Sequence, residues 1–318
     1  MTSPTHIVWI LVEKNLIGTE NQCLGVAEAL GHPYTIKRFT LRQPWKSLSP
    51  YLICGIGRAG YRGDALTAPW PDILICGGRK AAGVALWVKR QSPKTFTVCL
   101  LDPRARRAEF DLIAAPAHDR TPGKNVVETT GAPNRVTPAR LTVAADRWRG
   151  VLAPDDRKRI AVLIGGNTKH YTLSDEIARK LGNDLRALAD HGYRLMLTAS
   201  RRTPPPARAI LENALTGCDA FIWDGQGENP YTGMLALADA ILVTADSVSM
   251  TAEAATTGKP VYRIDLEGES PRIAAFHARL GEAGIARPFT GKIENWSYAP
   301  LNDAGMLAQA IIRRYADR

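Results

Sequence analysis

Short apolar runs alternate with longer segments of helical period along this chain. In the first half the runs cover residues 7–12, 34–39, 72–76, 95–101, 111–115 and 126–129. Each has the length of a strand, and several are apolar at consecutive positions, as in parallel strands covered on both faces. Helical period fits residues 21–30, stopped by Gly31, then 81–90 and 138–149. The pattern restarts with strands at 160–164, 194–198, 220–223, 240–244 and 261–264. Ser174 caps a helix over 175–189, further helices fall at 231–238 and 251–257, and an amphipathic one closes the chain at 303–315. Repeated β-α alternation predicts open parallel sheets. The charged, proline-bearing stretch 150–159 divides the two series, giving domains 1–150 and 151–318.

Residues 239–265 are the most informative stretch. An apolar strand leads into a turn bearing Ser247, Ser249 and Thr251, then a helix, the stop residue Gly258, Pro260 and another strand. A helix that opens at the carboxyl end of a parallel strand directs unpaired N–H groups and a positive dipole end outward, which suits a phosphate. With Ser249 as cap, Glu253 falls at the fourth helical position, one beyond the glutamate of a capping box. There it is placed to accept hydrogen bonds from a ribose diol. The structural alternative is a polar helix start with a solvated glutamate.

Ligands of open α/β sheets bind beyond the carboxyl ends of the strands. In the second half those ends carry Gly165-Gly166-Asn167, Ser200-Arg201-Arg202, Trp223, and Ser247 to Glu253 with Met250 between them. They offer close backbone approach, guanidinium groups for phosphate, an aromatic for base stacking, and hydroxyls with a carboxylate for ribose. In the first half the strand ends supply Glu13, Asp102, His118 and Asp119 as candidate bases, the adjacent His118 and Asp119 being favoured, and Lys14 and Arg79 as phosphate partners. Gly55-Ile-Gly57-Arg-Ala-Gly60 is a literal dinucleotide fingerprint, but no helical period follows it, so a loop is expected.

The chain has 318 residues and a net charge of +10, which favours anionic partners without choosing among them. The odd number of scattered cysteines, 5, without Cys-x-x-Cys spacing reads as reduced thiols rather than disulfides or zinc. No secretory signal and no apolar run of membrane-spanning length is evident. Trp45, Lys46, Tyr51, Arg58, Tyr61 and Arg62, in an irregular segment, are of the types that suit a lipid headgroup interface. Dispersed charge and the lack of a known module argue against nucleic acid.

The Gly165-Gly166 turn, the serine-rich helix start from Ser247 to Met250, and Glu253 resemble the nucleotide-sugar half of GT-B glycosyltransferases. Over nearly the full length the chain resembles the mitochondrial-fission Elm family. The matching stretches run from Gly18 to Gly31 (GTENQCLGVAEALG), through the His-Asp, Gly-x-Asn-Val and Thr-Gly-Ala elements of 116–132, TASRRTP at 198–204 and Asn229-Pro-Tyr231, to 246–260. Glu13 stands where this family is expected to carry aspartate. The resemblance implies an α/β, GT-B-like fold: two Rossmann-like domains facing across a cleft, the last helix crossing back to the first.

The likeness to GT-B glycosyltransferases, rather than the Elm resemblance, implies transfer of sugar from a nucleotide diphosphate, UDP in the first instance, to a cell-envelope or lipid-linked acceptor. Gly18, Asn21, Gln22, Lys14 and Arg79 would lie on the acceptor and phosphate side. No metal or cofactor is expected, because helix dipoles and basic residues handle the phosphate charge. Two other readings stay open: a sugar-nucleotide epimerase, and a non-catalytic scaffold. The expected location is the cytoplasm, with peripheral attachment to the inner face of an anionic membrane.

Overall fold

The computed structural model describes residues 6–318. The chain forms two compact α/β units, Met1–Arg135 with Asn302–Arg318, and Val136–Leu301. Strands of the first are β1 (Val8–Glu13), β2 (Tyr34–Leu41), β3 (Tyr61–Gly63), β4 (Ile73–Gly77), β5 (Phe96–Leu100), β6 (Leu112–Pro116) and β7 (Val126–Thr129). Their order is β3-β2-β1-β4-β5-β6-β7, parallel except for edge strand β3. Helices α1 (Ile17–Leu30) and α3 (Gly78–Gln91) follow β1 and β4, and α2 (Trp45–Leu48) lies between β2 and β3. On β1, Val8, Ile10 and Val12 pack in one core with Val26 of α1, whereas Trp9 and Leu11 pack in another with Val84 of α3. Coverage on both faces is the reason this strand reads as one unbroken apolar run.

The last helix, α10 (Asp303–Ala316), belongs to the first unit, as the expected crossing requires. Its Leu307, Ala308 and Ile311 share a core with Leu24 and Ala27 of α1. At its start, buried Asp303 accepts the backbone N–H groups of Thr130 and Gly131 at 3.0 and 2.7 Å.

The second unit contains α4 (Pro138–Leu152), β8 (Arg159–Ile164), β9 (Tyr171–Thr172), α5 (Asp175–Asp190), β10 (Arg194–Ala199), α6 (Pro205–Ala214) and β11 (Ala220–Ile222). It continues through α7 (Tyr231–Leu237), β12 (Ala240–Thr244), α8 (Val248–Thr256), β13 (Val261–Ile264), β14 (Glu267–Gly268), α9 (Pro271–Glu282) and β15 (Ala286–Pro288). The main sheet is parallel in the order β11-β10-β8-β12-β13-β15. Strand order therefore reverses between β8 and β12, as it does between β1 and β4 in the first unit. Such switch points open a crevice at the carboxyl edge.

Three boundaries differ from the sequence reading. The units divide after Arg135 rather than at residue 150, because α4 buries Leu152 and packs Leu141, Ala145 and Trp148 in the core of the second unit. A Cβ added to Gly233 of α7 would lie 2.6 Å from the Trp148 ring, so the helix pair closes only on a glycine. Helix α1 begins four residues earlier than its periodicity, at Ile17, with no capping side chain to announce it. Helix α8 begins at Val248, because Ser247 rather than Ser249 is its cap.

Candidate functional site

In the second unit the strand-end residues assemble around a cavity of about 370 Å³. Ile164 closes it at the end of β8, Thr198 to Arg201 at the end of β10, and Trp223 after β11. Asn229, Tyr231 and Met250 complete the wall. The Trp223 indole N–H donates to the Gln226 carbonyl at 3.0 Å, which fixes its ring. The Ser200 hydroxyl donates to the Gly165 carbonyl at 2.7 Å, tying β10 to the glycine turn. Arg201 is exposed and makes no ion pair among the described residues.

The two glycines serve the turn itself. Gly165 N–H donates to the Thr244 hydroxyl at 2.7 Å and Gly166 N–H to Asp246 Oδ2 at 3.2 Å, so neither remains as a phosphate donor. A Cβ on Gly165 would lie 2.2 Å from Asp246 Oδ1. At Gly166, where φ is +144°, one would lie 2.2 Å from the Arg202 carbonyl oxygen. Glycine is needed because β8, β10 and β12 loops converge here. Asn167, exposed, holds the next loop by accepting the Leu173 N–H at 2.8 Å. The Asp246 side chain is fully shielded from solvent, and Oδ2 also takes the Arg202 guanidinium at 2.6 Å.

Ser247 accepts the Met250 N–H at 3.4 Å, and its carbonyl takes the Thr251 N–H at 3.1 Å. The N–H groups of Val248 and Ser249 therefore remain as the open donors of the helix start. With Ser247 as cap, Glu253 moves from the fourth helical position to the sixth, about half a turn further from the phosphate end. Its Oε2 accepts the Tyr231 hydroxyl at 2.5 Å, and Tyr231 rather than Glu253 lines the cavity. Burial raises the carboxyl of Glu253 above its ordinary value, with the Tyr231 hydrogen bond opposing the rise. The Tyr231 phenol is itself pushed up by burial and by the neighbouring carboxylate.

In the first unit the candidate bases have distinct surroundings. Glu13 ends β1 at the switch point, buried, with Oε2 2.8 Å from Lys80 Nζ on α3. Asp102 is committed to its turn: both oxygens are held by Arg107 at 2.7 Å, and Oδ1 also takes the Arg104 N–H. The Arg107 guanidinium holds the Asp102 carboxyl below its usual range. His118 and Asp119 form a tight turn after β6, with His118 Nε2 3.7 Å from Asp119 Oδ1 and the imidazole side chain only 2% exposed. Lys14 and Gly18 are exposed around the start of α1, Asn21 and Gln22 are half-buried on that helix, and Arg79 is half-buried in the first turn of α3. Strands β1 and β6 are three spacings apart, about 14 Å, so Glu13 and the His118–Asp119 turn are separate stations on this edge.

Residues 17–315 match the family described as mitochondrial fission ELM1. The chain belongs to that family. The mitochondrial fission protein ELM1 of Arabidopsis thaliana is 34% identical over 295 residues, covering 84% of this chain and 68% of the plant protein. Uncharacterized protein RP120 of Rickettsia prowazekii is 28% identical over 349 residues, covering 96% and 97%. Among solved structures, UDP-GlcNAc 2-epimerase of Neisseria meningitidis, bound to UDP-GlcNAc, aligns with TM-score 0.57 at 15% identity, covering 98% and 100%. The epimerase of Methanocaldococcus jannaschii gives 0.55 at 12%, covering 96% and 99%. MurG of Acinetobacter baumannii gives 0.50 at 15%, covering 99% and 94%. These likenesses show the fold, which is GT-B-like, and the family resemblance read from the motifs is correct.

Sequence reasoning assigned no role to Tyr231, Asp246 or Lys80. Tyr231 and Asp246 lie inside motif stretches, so position gave a signal, but their partners are 22 and 44 residues distant. Lys80 had no signal beyond its neighbour Arg79. The headgroup-type residues also divide: Trp45 donates its indole N–H to the Cys54 carbonyl and Tyr61 packs in the core, so both are half-buried, while Tyr51 is 60% exposed. Among the described residues no helix is long and apolar enough to cross a membrane.

Proposed function

We propose that this protein is a glycosyltransferase whose second unit binds a nucleoside diphosphate sugar and whose first unit presents an acceptor hydroxyl. The cavity at the strand ends of the second unit carries the reading, because it joins the Trp223 and Tyr231 rings, the Arg201 cation and Met250 in the first turn of α8. A flat base meets Trp223 and Tyr231. A ribose diol meets the Tyr231–Glu253 pair, and a diphosphate meets Arg201, Arg202 and the open N–H groups of α8. Uridine is the favoured base, supported by fold neighbours that include one bound to UDP-GlcNAc.

In the transfer, the acceptor oxygen bonds to the anomeric carbon as the bond from that carbon to the β-phosphate oxygen breaks. The electron pair leaves on the nucleoside diphosphate, and the acceptor proton passes to a base. Glu13 is assigned that role because it stands at the switch point of the first sheet, with Lys80 beside it to steady the carboxylate. The acceptor is read as lipid-linked or part of the cell envelope. The support is an edge that exposes Leu16, Ile17, Leu48 and Tyr51 among cations. This reading expects the protein in the cytoplasm, held peripherally at a membrane.

Calorimetry with UDP, GDP, CMP and ADP tests the nucleotide site, and UDP is expected to bind with the highest affinity. Binding of none of them would end the proposal and favour a scaffold. Conversion of UDP-GlcNAc to an epimer without any acceptor would move the assignment from transferase to epimerase.

A further inference from the structure

Asp246 is a carboxylate with no exposed side-chain surface, yet its ion-pair partner Arg202 has a side chain 47% exposed. Shielding a carboxylate this completely is unfavourable before any pairing. Its Oδ1 has no hydrogen-bond partner, and it presses on Gly165 at the spot a Cβ would occupy. A merely stabilising residue would sit there at lower cost as an amide or an apolar group.

The arrangement fixes Arg202 at both ends. Its backbone N–H donates to the Ser200 hydroxyl at 3.1 Å, and its carbonyl takes the Asn167 N–H at 3.0 Å. Its guanidinium is held by Asp246, the residue before the cap of α8. Arg202 has no other side-chain partner among the described residues, so the rest of its fork stays available on a side chain 47% exposed, anchored one residue before the cap of α8. An exposed arginine normally samples many rotamers, and ordering it on binding opposes association. Here that ordering precedes any ligand.

We infer that Asp246 is a positioning residue that holds the Arg202 guanidinium ready for the diphosphate of a nucleoside diphosphate. The inference rests on the nucleotide reading given above and names the device that recognises the phosphates. Asp246 itself touches no ligand, and a carboxylate could not approach a diphosphate without repulsion. Its negative charge acts through Arg202 and through the Gly166 N–H that it also accepts.

Calorimetric titration of UDP, UMP and uridine into wild type, Asp246→Asn, Arg202→Lys and the double variant tests this. Asp246→Asn keeps the shape and an acceptor for Gly166 but removes the charge that holds the guanidinium. The expected result is a loss of UDP affinity of about tenfold, a smaller loss for UMP, and none for uridine. Arg202→Lys, on a half-exposed side chain that endangers no core, should lose UDP affinity similarly, and the double variant should lose little more than either single. Equal loss for all three ligands in Asp246→Asn would make it a support of the glycine turn and overturn the inference. So would unchanged UDP affinity in Arg202→Lys, which is informative even if Asp246→Asn fails to fold. Wild-type protein that binds uridine and UDP equally would overturn the inference while sparing the cavity, whereas wild type that binds no nucleotide would remove both.

Discussion

The Tyr231 hydroxyl donates to Oε2 of Glu253 at 2.5 Å, joining the first residue of α7 to the middle of α8. The bond spans the two elements that flank β12, and it puts the carboxylate behind the aromatic wall of the cavity. Glu253 therefore acts together with Tyr231 on whatever enters. A hydrogen bond to a charged group contributes roughly 1.5–3 kcal/mol. Glu253→Ala should thus lower UDP affinity by about one to two orders of magnitude. Tyr231→Phe should lower it comparably, with little further loss in the double variant. Wild type should discriminate against 2′-deoxy-UDP, and Glu253→Ala should lose that discrimination. Calorimetry on the four proteins decides it: additive losses would make the two side chains independent, and unchanged affinity would remove Glu253 from the site.

The same carboxylate makes a statement about pH. Burial raises the Glu253 carboxyl above its ordinary 4.5, the Tyr231 hydrogen bond being the smaller, opposing influence. A group whose folded value is raised contributes stability that is fully present below its unfolded value and is lost as pH rises through the folded one. Stability should therefore fall from about pH 4.5 upward through this contribution, and Glu253→Gln should flatten that part of the profile. Tyr231→Phe removes the opposing hydrogen bond, so it should carry the fall to higher pH. Urea midpoints from pH 4 to 8 for the three proteins measure this, and parallel profiles would refute it.

Elements with strong local patterns were legible in the sequence, and long-range pairings were not. The runs on β1, β8 and β12 gave the strands, because coverage on both faces leaves only apolar residues there. Helix α5 was legible from Ser174, whose hydroxyl accepts the Ile177 N–H as a cap should. Helix α1 began early because Leu16 offers no cap to read, and α8 because two serines compete for the cap position. The boundary was misplaced since the proline and charges at 150–159 mark a loop inside a unit, whereas the true division falls where α4 changes partners. Asp102 looked like a base from its strand end, and only the fold brings Arg107 onto both of its oxygens.

Removal of residues 302–318 should unfold the first unit and spare the second. Leu307 and Ile311 are fully buried against α1, and burying such a side chain contributes about 1.5–3 kcal/mol. The pair's share, about 3–6 kcal/mol, is comparable to the low end of the stability of an ordinary domain, about 5–15 kcal/mol. Loss of Asp303 would also strand the Thr130 and Gly131 N–H groups. Hydrogen exchange by mass spectrometry should show protection lost in β1 to β7 and retained in β8 to β15. Protection retained in both units would show that α10 is dispensable.

Glu13→Gln should abolish transfer while leaving UDP affinity unchanged, since Glu13 lies in the first unit and serves the acceptor proton. Loss of a general base costs about 10²–10⁴-fold in rate. Lys80→Met leaves the carboxylate buried without its cation and should lower the rate as well, again without affecting UDP. Single-turnover transfer from a UDP-sugar, measured beside calorimetry, separates the two effects. Full activity in Glu13→Gln would pass the role to the His118–Asp119 turn.

The carboxyl edge of the first unit should bind anionic vesicles in a salt-sensitive way. Ile17 is 57% exposed, Tyr51 60% and Leu48 47%, which is unusual for apolar residues of this size grouped on one edge. Ser49 donates its hydroxyl to the carbonyls of Arg79 and Lys80, and Arg106 donates to the Tyr51 carbonyl, so Leu48 and Tyr51 are pinned over the start of α3. Around them Glu13, Glu20 and Asp102 are each paired to a cation. Lys14, Arg42, Lys46, Arg79 and Arg104 make no ion pair among the described residues, so the edge keeps an uncompensated positive charge. Each such cation near an anionic surface contributes about 1 kcal/mol. Replacing Arg42 and Lys46 by serine should therefore weaken binding about 30-fold at low salt. Replacing Ile17 and Tyr51 by serine should weaken it at every salt concentration, because apolar insertion is not screened. Sedimentation with phosphatidylglycerol and phosphatidylcholine vesicles reads both effects. Equal recovery in the supernatant with the two lipids at low salt would leave this edge to a soluble acceptor.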